Sequence, residues 1–116
     1  MRRPSRVILF ELIESIEDFL EILRMDSNSS WVKHFEDILH EAKKIEQSGG
    51  DEVAIRDLCA TIRAMFSAKS PFAEYVPAIH NPKTGRYQLI PGTEKYQDIS
   101  KRISDLSEEI RTVGSH

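Results

Sequence analysis

The segment SAKSPFAEYVPAIHNPKTGRYQLIPG, residues Ser67–Gly92, separates the third helical segment from the fourth and holds four of the five prolines. Proline lacks a backbone donor and ends helices, so the segment predicts a long break between two helices. Loops longer than about 12–15 residues without structure of their own tend to be functional or disordered. An extended chain gains up to roughly 3.3 Å per residue, so the fourth helix is free to run in either direction.

Two alternatives are open for this connection, a short β-hairpin or an irregular packed loop. The sequence NPKTG, Asn81–Gly85, has the residues of a turn, and YVPAIH and RYQLI flank it as candidate strands. Pro77 would confine its strand to an edge of the sheet. In either case we expect Phe72 to point inward and to attach the connection to the helices.

Four segments repeat apolar residues at intervals of three and four, the pattern of amphipathic helices. The first spans about Val7 to Met25, the second lies between Ser30 and Ser48, the third between Asp51 and Phe66, and the fourth runs from Thr93 to about Val113. They predict an all-α fold, a four-helix bundle with one long connection, about residues 67–92, between helices 3 and 4. Residues 1–113 are expected to form a single helical domain, and 114–116 a tail compatible with the remnant of an expression tag.

The composition argues against nucleic acid and membranes as partners. The net charge is −3, from 16 basic and 19 acidic side chains, whereas binding to phosphate backbones relies on clustered Lys and Arg. No apolar run approaches the roughly 18 residues of a membrane span, and Glu11 and Glu14 interrupt the apolar start. We therefore expect a cytoplasmic protein.

No motif predicts catalysis, a cofactor or a metal. Asp37 and His40 have the i, i+3 spacing of a metal-binding pair in di-iron bundles, but the second pair that such a site needs is missing. Cys59 falls on an apolar stripe, where a thiol behaves as a small buried hydrophobe. There is no Gly-x-Ser-x-Gly motif and no Gly-rich phosphate loop. We expect the protein not to be an enzyme.

Two sets of residues are candidates for binding a partner protein. Glu11, Glu14, Asp18 and Glu21, here called the acidic ridge, are spaced 3, 4 and 3 along helix one, with no Lys or Arg interleaved. The ridge is either an ordinary solvated face or a surface that steers a basic partner. The second set, Glu74, Tyr75 and Tyr87, lies in the connection, and tyrosine is enriched in protein interfaces.

The layout resembles a family of small helical bacterial proteins that are similar to immunity proteins of polymorphic or contact-dependent toxins. The resemblance is carried by Trp31 at the start of helix two, IRAMF at the end of helix three, SPFAE after it, and a Leu/Ile-rich last helix. It implies tight binding to a cognate toxin, without catalysis. An acidic protein of this kind would occlude the basic active-site region of a nuclease toxin. The alternative is a non-catalytic helical adaptor, or a homo-oligomer that associates through the apolar seam of helix four.

Overall fold

The computed structural model describes residues 4–26, 29–67 and 69–113, without the side chains of residues 73, 74 and 111–113. Its elements in chain order are α1 (Ser5–Leu23), α2 (Trp31–Gln47), α3 (Glu52–Met65), a short 3-10 helix (Pro71–Glu74), β1 (Ala78–Asn81), β2 (Arg86–Leu89) and α4 (Tyr96–Val113). The prediction of four helices is confirmed. The chain is mostly helical rather than wholly helical, because β1 and β2 pair as an antiparallel hairpin.

The predicted boundaries between α1, α2 and α3 agree with the structure to within two residues. The Asp51 carboxylate accepts a hydrogen bond from the Ala54 backbone N–H (3.3 Å), as expected of a helix N-cap. At the end of α2, Gly50 adopts a φ of 76° and its N–H donates to the Ile45 carbonyl (2.9 Å). This left-handed conformation suits glycine and ends the helix.

Helix α4 begins at Tyr96, three residues later than predicted. Thr93 is buried, and it is held in a turn in which its N–H donates to the Ile90 carbonyl (3.1 Å). The Thr93 carbonyl then accepts from the Tyr96 N–H (3.0 Å). The chain is therefore still turning at Thr93, and helical periodicity starts only after it.

The helices alternate in direction. Helix α1 packs against α2 and α4, and α3 packs against the same two helices. The ring of Tyr96, at the start of α4, stacks on Phe19 near the end of α1, with the ring centroids 5.3 Å apart. At the opposite end of the molecule, Ser5 donates to Glu52 (3.4 Å), so the start of α1 lies beside the start of α3. Helix α4 therefore runs antiparallel to α1, a direction that the length of the connection left open.

All four helices contribute to one core. Helix α1 is the most buried, since ten of its residues are buried. The apolar seam of α4 faces inward, with Ile103, Leu106 and Ile110 all buried. Buried apolar side chains of this kind supply most of the stability of a helical domain.

Candidate partner-binding surfaces

Three residues of the acidic ridge face solvent without partners. Glu14, Asp18 and Glu21 are exposed, and none of them forms a hydrogen bond or ion pair with the part of the chain that the structure describes. Glu11 is half-buried and does take part in an interaction within the molecule. The ridge is therefore an open carboxylate surface at its last three positions.

Charged residues beside the ridge form two ion pairs between α1 and α2. Glu17 pairs with Lys43 (3.3 Å), and Arg24 pairs with Glu36 (3.3 Å). All four side chains are about half-exposed, and pairs of this kind contribute little stability. The one lysine of α2 that pairs with α1 within the described residues, Lys43, thus neutralises an acid that lies off the ridge.

An aromatic cluster joins the connection to the helices. Its members are Phe19, Trp31, Phe35, Phe66, Phe72, Tyr75 and Tyr96. Phe72 is central, since its ring centroid lies 4.9 Å from that of Trp31, 5.1 Å from Phe35 and 5.3 Å from Phe66. Phe72 is only 2% exposed, so the prediction that it points inward is confirmed.

Tyr75, a predicted contact residue, is engaged within the molecule. Its hydroxyl donates to Oδ2 of Asp26 (2.8 Å), and its ring contacts those of Phe72 and Tyr96. Its backbone carbonyl accepts a hydrogen bond from the Tyr96 hydroxyl (3.1 Å). Burial, with the neighbouring Asp26 carboxylate, raises the pKa of Tyr75 to about 12. The side chain thus attaches the connection to the α1–α2 loop, which leaves only part of it for another protein.

Tyr87, by contrast, is 75% exposed. It lies on β2 opposite His80 of β1, with the two ring centroids 5.2 Å apart. Of the two alternatives for the second half of the connection, the structure has the hairpin. The turn is closed by the Gly85 N–H, which donates to the Asn81 carbonyl (2.8 Å). The side chain of Glu74, the third candidate in the connection, lies outside the described residues.

The hairpin also exposes apolar side chains that were not predicted as candidates. Val76, Ile79 and Leu89 are 44–51% exposed, and none of the eight strand residues belongs to the hydrophobic core. Val76, Ala78, Tyr87 and Leu89 line one shallow depression. The sequence signal was the pair AIHN and RYQL, in which apolar residues occur on both faces of short strands. That pattern is uncommon for a hairpin with one solvated face.

The residues considered for metal binding or catalysis, Asp37, His40 and Cys59, do not form a common site in the described part of the chain. Asp37 and His40 are exposed, and among the described residues no group of three or more His, Cys, Asp or Glu could hold a metal ion. Cys59 is fully buried, and burial raises the pKa of its thiol to about 11, although Arg63 acts in the opposite direction. At neutral pH the thiol is protonated and shielded, which makes it a weak nucleophile.

No helix in the described part of the chain is both long and apolar enough to cross a membrane. Comparison with protein-family models, with curated proteins and with solved structures finds no match to this chain. The acidic ridge and the hairpin are therefore the features that bear on function.

Proposed function

We propose that the protein is a cytoplasmic immunity protein, a four-helix bundle with a hairpin insertion, that binds a cognate bacterial toxin domain and has no catalytic activity of its own. The observation that carries the proposal is the open end of the acidic ridge, where Glu14, Asp18 and Glu21 have no partner among the described residues. The toxin is of the nuclease type, and the ridge covers its basic active-site region.

The charge of the ridge favours a basic partner. Like charges three and four residues apart destabilise a helix by a few tenths of a kcal/mol per pair, and no Lys or Arg in the described part of the chain forms an ion pair with Glu14, Asp18 or Glu21. A basic surface removes the repulsion when it binds. It is also attracted over a distance, so association is faster at low salt.

The hairpin supplies apolar contact area for the same complex. Tyr87 is its most exposed large apolar side chain, and tyrosine combines a large ring with a hydroxyl that tolerates water. Burial of such residues slows dissociation, whereas the charged ridge acts mainly on association. The two surfaces thus have separable kinetic roles.

The test is to express the protein with the products of the genes immediately upstream and to identify what it retains by mass spectrometry. Capture of a basic, toxin-like domain, with loss of its nuclease activity on binding, supports the proposal. Retention of a housekeeping complex in place of a toxin contradicts it.

For binding to the captured toxin domain, we predict that Glu14→Lys with Asp18→Lys lowers the association rate constant about tenfold at low salt. The dissociation rate constant should change much less. The reason is that both acids are exposed and act through the long-range field. The control is Glu41→Lys with Glu46→Lys, which makes the same charge change on the exposed side of α2. Stopped-flow measurement over a range of salt concentrations distinguishes the two, and equal salt dependence in both variants refutes the role of the ridge.

A helical adaptor remains the alternative proposal, but not through the seam of α4. Ile103 is fully buried and Leu106 nearly so, in contact with the other helices. Association through that seam would require the core to open. An adaptor would have to use the hairpin, whose exposed apolar side chains favour this second candidate.

A further inference from the structure

The hairpin lacks the cover that a small sheet normally has. A two-stranded hairpin alone is marginally stable in water, and it usually gains a third strand or packs on a helix. Here Ile79, Tyr87 and Leu89 remain half-exposed or more, and no described helix packs over the strands. An additional strand would supply the missing contacts.

The hydrogen-bond pattern identifies which backbone groups are free. The Ile90 N–H donates to the Pro77 carbonyl (2.9 Å), so residues 77 and 90 form a hydrogen-bonded pair. In antiparallel sheets such pairs alternate with pairs whose polar groups point outward. In the register, Ala78 is opposite Leu89 and His80 is opposite Tyr87. These two pairs are therefore the ones whose backbone polar groups point outward. The outer edge of β2 therefore presents the N–H and C=O groups of Tyr87 and Leu89.

The edge of β1 is less suited to pairing. The N–H of Ala78, one of the two outward residues of β1, is already bonded to the Val76 carbonyl (2.8 Å), so it is not available to a further strand. Strand β2 has no such protection, since both of its outward residues keep their donors.

We propose that β2 pairs antiparallel with β2 of a second copy of this chain, around a two-fold axis that passes between the two Gln88 residues. This register places Tyr87 opposite Leu89 of the other copy, twice by symmetry. Aromatic–aliphatic cross-strand pairs stabilise sheets, and the pairing makes one four-stranded sheet from two hairpins.

Charge complementarity favours a second copy over an unrelated strand. The same register directs the hairpin turn, residues 82–85, toward the base of the hairpin of the other copy, where Gly92 lies. Gly92 lines one depression with Asp18 and Glu21, together with Lys95. Lys83 lies in this turn, is exposed, and has no ion pair within the described residues. The basic turn of each hairpin thus meets two acids and one base of the other copy, which leaves a favourable net attraction.

The dimer does not depend on the proposed toxin. The dimer interface shares Tyr87, Asp18 and Glu21 with the surfaces proposed for the toxin, so the two complexes compete and each is tested separately. The interface is small, and small interfaces are weak and transient. Dimerisation is therefore expected only at high concentration.

The first test is sedimentation velocity of the purified chain from about 10 μM to 1 mM. The sedimentation coefficient is expected to rise with concentration toward that of a dimer. Leu89→Pro, which removes an outward donor, should abolish the rise while helix content by circular dichroism is unchanged. Ala78→Pro, on the other edge of the hairpin, is the matched control and should keep the dimer. A monomer at every concentration, or a dimer insensitive to Leu89→Pro, overturns the proposal.

A second test leaves the backbone of the hairpin intact. Lys83→Glu should raise the dissociation constant of the dimer by about threefold to tenfold, because an exposed ion pair contributes modestly and occurs twice here. Adding Glu21→Lys to Lys83→Glu should restore most of the affinity. Lys33→Glu, an equal charge change on the exposed side of α2, is the control. Failure of the second charge reversal to rescue Lys83→Glu contradicts the register. Because Glu21 also belongs to the acidic ridge, Glu21→Lys is used only to measure dimerisation, and toxin binding is measured on the parent protein at concentrations where the chain is monomeric.

Discussion

The two halves of the connection between α3 and α4 meet opposite environments. Residues 70–77 fold against the helices, and Phe72 lies at the centre of seven aromatic rings. Residues 78–89 form a hairpin that contributes nothing to the core. A long loop is therefore not one functional unit here: its first half is structural, and its second half is available for binding. Substitutions in the two halves should separate stability from association.

The largest effect is expected from Phe72→Ala. Removal of a fully buried ring leaves a cavity among its aromatic neighbours, and such changes cost about 3–5 kcal/mol of unfolding free energy. Tyr87→Ala is the matched change in the exposed half and should stay within about 0.5 kcal/mol of the parent protein. Urea unfolding measures both. A cost below about 1 kcal/mol for Phe72→Ala would mean that the first half is not held by packing.

A second pair of leucines tests the same contrast between core and hairpin. Leu106 is buried in the seam of α4, so Leu106→Ala should lower the unfolding free energy by about 2–5 kcal/mol. Leu89 is half-exposed on β2, and Leu89→Ala should change it by less than about 0.5 kcal/mol. Equal losses in the two variants, measured by urea unfolding at a concentration where the chain is monomeric, would refute the division between core and hairpin.

Tyr75→Phe tests whether the hydroxyl of Tyr75, in the first half of the connection, stabilises the fold. The change removes the hydrogen bond to Asp26 and keeps the ring contacts, so we expect a loss of about 1 kcal/mol, the usual net value of one such bond. Tyr87→Phe, whose hydroxyl lies on an exposed strand, is the control and should be neutral. Thermal unfolding at neutral pH compares the two, and equal melting temperatures would show that the Tyr75 hydroxyl is not structural.

The same tyrosine predicts a dependence of stability on alkaline pH. The pKa of Tyr75 is about 12 in the folded chain, against about 10 for an unfolded tyrosine. The unfolded state therefore loses its proton first, and the contribution to stability that is present below pH 10 is lost as pH rises toward 12. Burial raises the pKa values of Tyr96 and Cys59 as well, so they act in the same direction.

The variant Tyr75→Phe isolates the contribution of Tyr75 to this pH dependence. Its stability should fall less steeply than that of the parent protein between pH 10 and 12, because it lacks one of the three titrating groups. Tyr96 and Cys59 titrate in both proteins. Urea unfolding at several pH values gives the two slopes. Identical slopes would mean that the hydroxyl is no more buried than in the unfolded chain.

The helices were predictable because their signals are local. Apolar spacing, the Asp51 N-cap and the glycines after α2 each involve residues within a turn or two of one another. Helix α4 starts three residues later than predicted, since Thr93 is held in a turn by its bond to Ile90 and by the i, i+3 bond that its carbonyl accepts from Tyr96.

The candidate site was only partly predictable. The spacing of the acidic ridge is visible in the sequence, but whether its acids are paired depends on α2, where Lys43 contacts Glu17 instead. Tyr75 and Tyr87 look alike as sequence features. One donates to Asp26, 49 positions away in the chain, and the other remains exposed.

The sequence by itself thus determined the four helices, the inward position of Phe72 and the carboxylates along one side of α1, because periodicity and capping act over a few residues. Only the tertiary structure decided the direction of α4, the choice of hairpin over packed loop, and which acids and tyrosines are left for a partner. Each of these depends on contacts between residues far apart in the chain, and a long connection permits several arrangements until packing of the aromatic cluster selects one.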